Sequence, residues 1–242
     1  MTVRVDEVAG SIYRFSTFVP EIAAPAGFTF NQYLVDADEP LLFHCGSRKL
    51  FADVSAAVAG VIPLSRLKWI SFGHVESDEC GSMNQWLAAA PEACVVQGAT
   101  ACLVSLNDMA DRAPRILADG ETLDLGGKRV CWIDTPHVPH AWESGLLFEI
   151  TTRTLFCGDL FTHAGDGPAT TTDSIVPSAA RAEEMFQSTS LTARTATTIR
   201  RMASFAPRTL AVMHGSCFVG DCAQQLHELA NFYDERFRAS AA

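Results

Sequence analysis

His74, Glu76 and Asp78 stand at alternate positions in "SFGHVESDECGSMNQWL", directly after the apolar run "LKWISFG". An imidazole and two carboxylates so close together are donors of the kind that hold a transition metal. An apolar run that stops at them reads as a buried strand delivering polar groups to its end. The stretch alone is weak evidence, because similar clusters occur in solvated loops, and Asp78 would serve equally to cap a helix starting near Cys80. The same placement recurs elsewhere, however. Asp159 closes "TLFCGD", His214 closes "LAVMH", and His140 lies in the loop after "VCWIDTP". Strand ends are where α/β architectures gather polar groups from distant sequence into one crevice. A set of imidazoles and carboxylates drawn from four segments is what two metal ions held side by side require.

The elements that must position these groups are short strands followed by alternating strands and helices. "SIYRFSTF", "FTFNQYLVD", "PLLFHCG" and "LKWISFG" read as strands, with "ADEP" as a turn. "SRKLFADVSAAVAG" and "CGSMNQWLAAA" carry apolar residues at helical spacing, the second ending at Pro91. "ACVVQG" reads as a strand and "TACLVSLNDMA" as a helix, and "LLFEITTRTLFCGD" as a hairpin. Residues 161–188, rich in Gly, Pro and Thr, read mainly as loop, and a loop that long is usually functional. The chain closes as helix, strand, helix.

Composition bounds the function. In 242 residues, 48% are hydrophobic, and the formal net charge is −10 with no basic cluster, which would repel a phosphate backbone; no nucleic-acid partner is expected. No stretch approaches a membrane span and the N-terminus lacks a signal-peptide pattern, so a cytoplasmic protein without membrane contact is expected. The eight cysteines are scattered, with no CxxC, and read as buried thiols.

"HVESDECGS", "PHAWESG", "LFCGDLF" and "VMHGS", in that order along nearly the whole chain, resemble the metal motifs of the metallo-β-lactamase superfamily, particularly its di-iron branch. Superfamily hydrolases show HxHxDH in the first segment and flavodiiron proteins HxExDH; Glu76 sides with the iron branch. "FNQYLVD", "LLFHCGS" and "DECGS" are also similar to the oxygen-binding di-iron protein family, stand-alone domains without a fused flavodoxin module. The resemblance implies one domain over residues 1–242, a four-layer αββα sandwich of two mixed sheets with helices outside and the metals at one edge. It implies that His74, Glu76, His140 and Asp159 bind one iron, and Asp78, Asp159 and His214 the other, with Asp159 bridging. The nineteen residues from His140 to Asp159 fit the flavodiiron pattern and favour His140 over His137. The chain departs from that pattern at Glu79, where a histidine would follow Asp78. Glu79 is thus a candidate ligand, a candidate for orienting a water, or a helix-dipole acid that points away.

Charge gives the Glu76 position its meaning. Two divalent ions bring four positive charges, which Glu76, Asp78, Asp159 and one bridging hydroxide would neutralise. An oxygen-rich donor set is harder and suits iron or manganese better than zinc. The leading expectation is therefore a non-haem di-iron protein that binds O2, or NO or peroxide. It would act as a sensor that signals to a protein partner, or as an oxidoreductase fed by an external redox donor. No bound FMN is expected, for want of a phosphate-cradling loop. The rival reading is a binuclear metallohydrolase of an ester, thioester, lactone or phosphoester, since one metal fold hosts both chemistries. A third is an interaction protein with a remnant site, against which all six ligand positions argue. His163, four residues past Asp159, is a candidate for a hydrogen bond to bound dioxygen, and His44 a candidate for orienting a ligand. Cys80 reads as a packing residue before it reads as a nucleophile. A homodimer is expected on the prevalence of twofold assemblies.

Overall fold

In the computed structural model, which describes residues 1–240, the chain folds into two seven-stranded sheets. The last two residues of the expected domain, 241 and 242, lie outside the described residues. The first sheet runs in chain order through β1 (Val3–Ala9), β2 (Ile12–Val19), β3 (Phe28–Val35), β4 (Leu41–Phe43), β5 (Trp69–Ser71), β6 (Cys94–Gly98) and β7 (Arg115–Leu117). Its first four strands are antiparallel neighbours, and β4 to β7 pair in parallel. The second sheet has the order β12-β14-β13-β11-β10-β9-β8, built from β8 (Thr122–Asp124), β9 (Arg129–Asp134), β10 (Gly145–Glu149), β11 (Thr154–Phe156), β12 (Thr170–Thr171), β13 (Thr209–Ala211) and β14 (Cys217–Val219). The hairpin read from "LLFEITTRTLFCGD" is β10 and β11, paired Leu147 to Phe156.

Strand β3 shows why the architecture is layered. All eight of its residues are buried, and a strand turns alternate side chains to opposite faces. Phe28, Phe30 and Leu34 join the core under α1 (Phe51–Ala59) and the helical segment beyond β5, with Val54, Val58, Trp86 and Leu87. That segment comprises the single turn α2 (Ser77–Cys80) and then α3 (Met83–Ala89). Tyr33 and Val35 face the other way, into a second core between the sheets with Phe43, Trp132, Leu147 and Phe156. The region read as one helix from "TACLVSLNDMA" is helical from α4 (Ala99–Ala101) through a π-type stretch (Cys102–Leu106) to α5 (Asn107–Met109). A third core lies between the second sheet and α6 (Val176–Phe186), α7 (Thr195–Ala203) and α8 (Cys222–Ser240). Three cores between four layers give the αββα sandwich.

Residues 161–188 are loop over little more than half their length, as read, but they also hold β12 and the eleven-residue α6. The helix starts with Pro177 in its first turn and buries Ala179, Ala182 and Glu183 towards α8. Its inward face is built of small residues, so the apolar periodicity is faint beside the surrounding Gly, Pro and Thr. Tertiary packing, not propensity, holds it. Among the described residues no helix is long and apolar enough to cross a membrane.

Candidate metal centre

Three strands end alike. His74, Asp159 and His214 each stand three residues beyond the last residue of β5, β11 and β13. β11 and β13 are parallel neighbours, so Asp159 and His214 leave the second sheet side by side. The first sheet carries His74 to the same edge, where Gly145 N donates to Gly73 O at 2.9 Å and joins the loops of the two sheets. His140 arrives from the β9–β10 loop and Asp78 from the single turn α2.

The side chains form two groups that share Asp159. In the first, Glu76 Oε2 lies 2.8 Å from His74 Nε2 and 3.1 Å from His140 Nε2. Asp159 Oδ2 lies 3.8 Å and 3.5 Å from those same nitrogens. One donor atom from each of these four residues falls within 4.8 Å of all the others. In the second group His214 Nε2 is 3.4 Å from Asp78 Oδ2 and 3.2 Å from Asp159 Oδ1. The two oxygens of Asp159 thus face different groups, the geometry a bridging carboxylate needs. Asp159 Oδ1 is buried and makes no hydrogen bond; such an acceptor is costly unless a cation meets it. The first group's donors fit a hard divalent ion, and the second group sets one more imidazole and carboxylate beside it.

Electrostatics bind the groups in the ion-free chain. Burial opposes charge on His74, but the Glu79 carboxylate and hydrogen bonds to Glu76 and Glu79 prevail and push it up to about 12. His214, likewise buried, is pushed up to about 10 by Asp159 and Asp78. Hydrogen bonds from His140 and His74 hold the Glu76 carboxyl well below the usual carboxylate range. Asp159 is lowered too: burial works against its charge, and His214, His74 and His140 outweigh it. His214 is aimed by its far nitrogen, since Nδ1 donates to Thr29 O at 2.8 Å and leaves Nε2 for the cluster.

His137 is exposed and outside the cluster, and it is His140 that stands with His74, Glu76 and Asp159. Two expected site residues lie elsewhere. His163 is buried, and both its ring nitrogens are engaged by backbone: Nδ1 donates to Phe161 O at 2.8 Å, and Nε2 accepts from Ser216 N at 2.9 Å. It has no hydrogen left for a bound diatomic and latches the His214 loop instead. Glu79 points inward, accepting from Gly73 N and His74 N, and does not line the cavity before the cluster. His44 is fully buried, with Nδ1 on Asn31 O at 3.2 Å and Nε2 at 3.7 Å from Glu79 Oε1. Burial pushes the Cys80 thiol up to about 12, which suits a packing residue and no nucleophile.

A cavity of about 290 Å³ opens onto the two groups, walled by Ile22, Phe28, Phe186, Thr162 and Ser188. Sequence reasoning missed this wall. Phe28 lies against His214 with ring centroids 4.3 Å apart, and Phe186 meets Phe28 edge to face at 5.6 Å. Phe28 carried a signal, as the aromatic that opens the strand read from "FTFNQYLVD". Ile22 and Phe186 carried none, because they reach the cavity only through packing.

Comparison with known proteins places the chain. The profile of the family described as "ODP family beta lactamase" matches residues 28–215. Over 139 residues the chain is 25% identical to the anaerobic nitric oxide reductase flavorubredoxin of Salmonella arizonae, taking in 56% of this chain and 29% of that protein. It is 27% identical over 138 residues to putative diflavin flavoprotein A 2 of Synechocystis sp., taking in 56% and 24%. The matched segment thus spans less than a third of these relatives. Among solved structures, the fold is shared with a fragment of putative diflavin flavoprotein A 5 from Nostoc sp. PCC 7120, at TM-score 0.82 and 18% identity, covering 100% of this chain and 99% of that one. It is shared also with rubredoxin oxygen:oxidoreductase from Desulfovibrio gigas, at TM-score 0.78 and 16% identity, covering 97% of this chain and 62% of that one. On the match over residues 28–215, the chain belongs to the ODP family beta lactamases, in the di-iron, flavodiiron-related branch of the metallo-β-lactamase superfamily.

Proposed function

We propose that this protein is a non-haem di-iron protein that takes O2, or NO or peroxide, into the cavity before Asp159, with electrons from an external donor or with a protein partner that reads the state of the site. His74, Glu76, His140 and Asp159 would hold one iron, and Asp78, Asp159 and His214 the other. One observation carries the reading: a carboxylate shared between two ligand groups, with Glu76 where hydrolases of the superfamily carry an imidazole. When bound, an iron pair supplies redox electrons and open positions for a diatomic.

The chain's own residues supply the rest. Glu76, Asp78 and Asp159 would offset three of the four positive charges of a divalent pair and lessen the rise in net charge when it is oxidised, where a hydrolase needs to keep more positive charge to polarise its substrate. Thr29 O and Glu79 fix the rings of His214 and His74 from behind. Phe28, Ile22 and Phe186 shed water from the approach and admit a small apolar molecule. Among the described residues lining the cavity there is no lysine or arginine, so nothing there pairs with a phosphate; that weighs against a phosphoester. The relatives' names speak of nitric oxide reductase and oxygen:oxidoreductase activity, which supports a diatomic as ligand.

The test is to express the protein with supplemented iron, purify it without oxygen, count the metals, and admit air while recording the absorption spectrum. About two irons per chain and a new charge-transfer band are expected. Zinc occupancy, an unchanged spectrum and hydrolysis of an ester panel would replace this reading with the metallohydrolase.

A further inference from the structure

Glu79 takes the place at which the flavodiiron pattern has a histidine, yet its carboxylate is turned away from the cavity. It is fully buried. Oε2 accepts hydrogen bonds from Gly73 N at 2.5 Å and His74 N at 2.8 Å. Oε1 lies 3.1 Å from His74 Nδ1 and 3.7 Å from His44 Nε2. The opposite nitrogen of His74, Nε2, faces Glu76 and Asp159. The backbone is shaped for this contact: a Cβ on Gly73 would stand 2.9 Å from Oε2, so only glycine lets the carboxylate come so near.

The demand on residue 79 is for acceptors. Two backbone N–H groups bond to Oε2, while the His74 ring places Nδ1 3.1 Å from Oε1, a buried oxygen with no hydrogen bond of its own, and an ionised carboxylate offers acceptors only. A neutral histidine has one acceptor and could not serve all three. Since an ionised Glu79 cannot donate to His74 Nδ1, that nitrogen is the one that keeps its proton when the ring becomes neutral, and Nε2 is the one that gives up its proton to take an ion.

We infer that Glu79 is a positioning residue that sets the ring orientation and tautomer of His74 for the first metal ion, leaving the second ion to Asp78, Asp159 and His214 alone. The inference rests on the di-metal reading above, and it assigns the departure from the flavodiiron pattern a role. Its consequence is unequal sites: four protein ligands with a fixed imidazole at the first, three at the second. The ions load in two steps, the first tighter.

The experiment uses the chelator-stripped protein and zinc, with a chromophoric chelator as competitor. Wild type takes up two ions in separate steps. Glu79→Gln preserves the shape, but its single oxygen is taken by the backbone N–H groups and its amide N–H faces His74 Nδ1, which favours the wrong tautomer. The tighter step is expected to weaken by about 10- to 100-fold and the weaker step to stay as it was. An unchanged tighter step would overturn the assignment. If Glu79→Gln does not fold, nitrogen NMR of zinc-loaded wild type decides. One imidazole, lost in His74→Ala, should show a protonated Nδ1 and a zinc-bound Nε2, and an unprotonated Nδ1 there overturns the assignment. Iron-loaded protein inert to oxygen would sink the proposed function and leave Glu79 in its place, whereas wild type that binds no ion sinks both.

Discussion

Loading the site with metal should eject protons, and the number is set by the ion pairs that hold the ion-free cluster. His74, pushed up to about 12, and His214, pushed up to about 10, are both imidazolium at pH 7.5 in the ion-free chain. Each must lose a proton before Nε2 can bind a cation. Two ions should therefore release at least two protons, and the affinity of each should rise about tenfold, or about 1.4 kcal/mol, per pH unit below those values. Fold stability without metal should run the other way. The raised histidines stabilise fully below their ordinary 6.5, and that contribution is lost as pH climbs towards 10 and 12. The lowered Glu76 and Asp159 stabilise above their ordinary 4.5 and 3.8 and lose their contribution as pH falls. The ion-free fold should be most stable between about pH 4.5 and 6.5, and the gain in melting temperature from zinc should grow from pH 6 to pH 9. Calorimetric titration of zinc in buffers of different ionisation enthalpy counts the protons, and thermal melts with and without chelator give the second trend. Fewer than one proton released for two ions, with a pH-independent affinity, would show that these imidazoles are not ligands.

Four substitutions probe the supports of the site. Gly215→Ala should loosen the His214 loop and weaken the second ion, because Gly215 has φ +108° and its Cβ would stand 2.1 Å from His163 Nε2; zinc titration reads the loss. Phe28→Ala should cost about 3–5 kcal/mol in denaturant unfolding, as a buried ring packed on Phe30 and His214. Phe186→Ala, with the ring 41% exposed, should cost under about 1 kcal/mol while widening the cavity mouth. Tyr33→Phe should cost only about 1 kcal/mol, measured in the same way. The hydroxyl donates to Val212 O at 2.6 Å, but Asn31 Nδ2 serves that carbonyl too, so no buried acceptor is orphaned.

The strand that ends at His74, the hairpin that ends at Asp159 and the short run that ends at His214 could all be read along the chain. A short apolar run is a local signal, and the polar residue after it marks the end of burial. Donor type was legible for the same reason: the Glu76 side chain belongs to a motif five residues long. Helix α6 was not legible, because alanines bury against α8 with little periodic contrast. The directions of Glu79 and His163 were not legible either. Glu79 sits next to Asp78 in sequence, yet one lines the cavity and the other turns to the backbone of Gly73 and His74. His163 was expected over the metals, but the backbone of Phe161 and Ser216 takes both its nitrogens. The sequence by itself determined which chemical groups stand at strand ends, since side-chain type and burial period are properties of a few adjacent residues. Only the tertiary structure decided which of those groups share an ion and which merely aim them, because that depends on where acceptors and donors from distant segments meet in a space with no water to substitute for them.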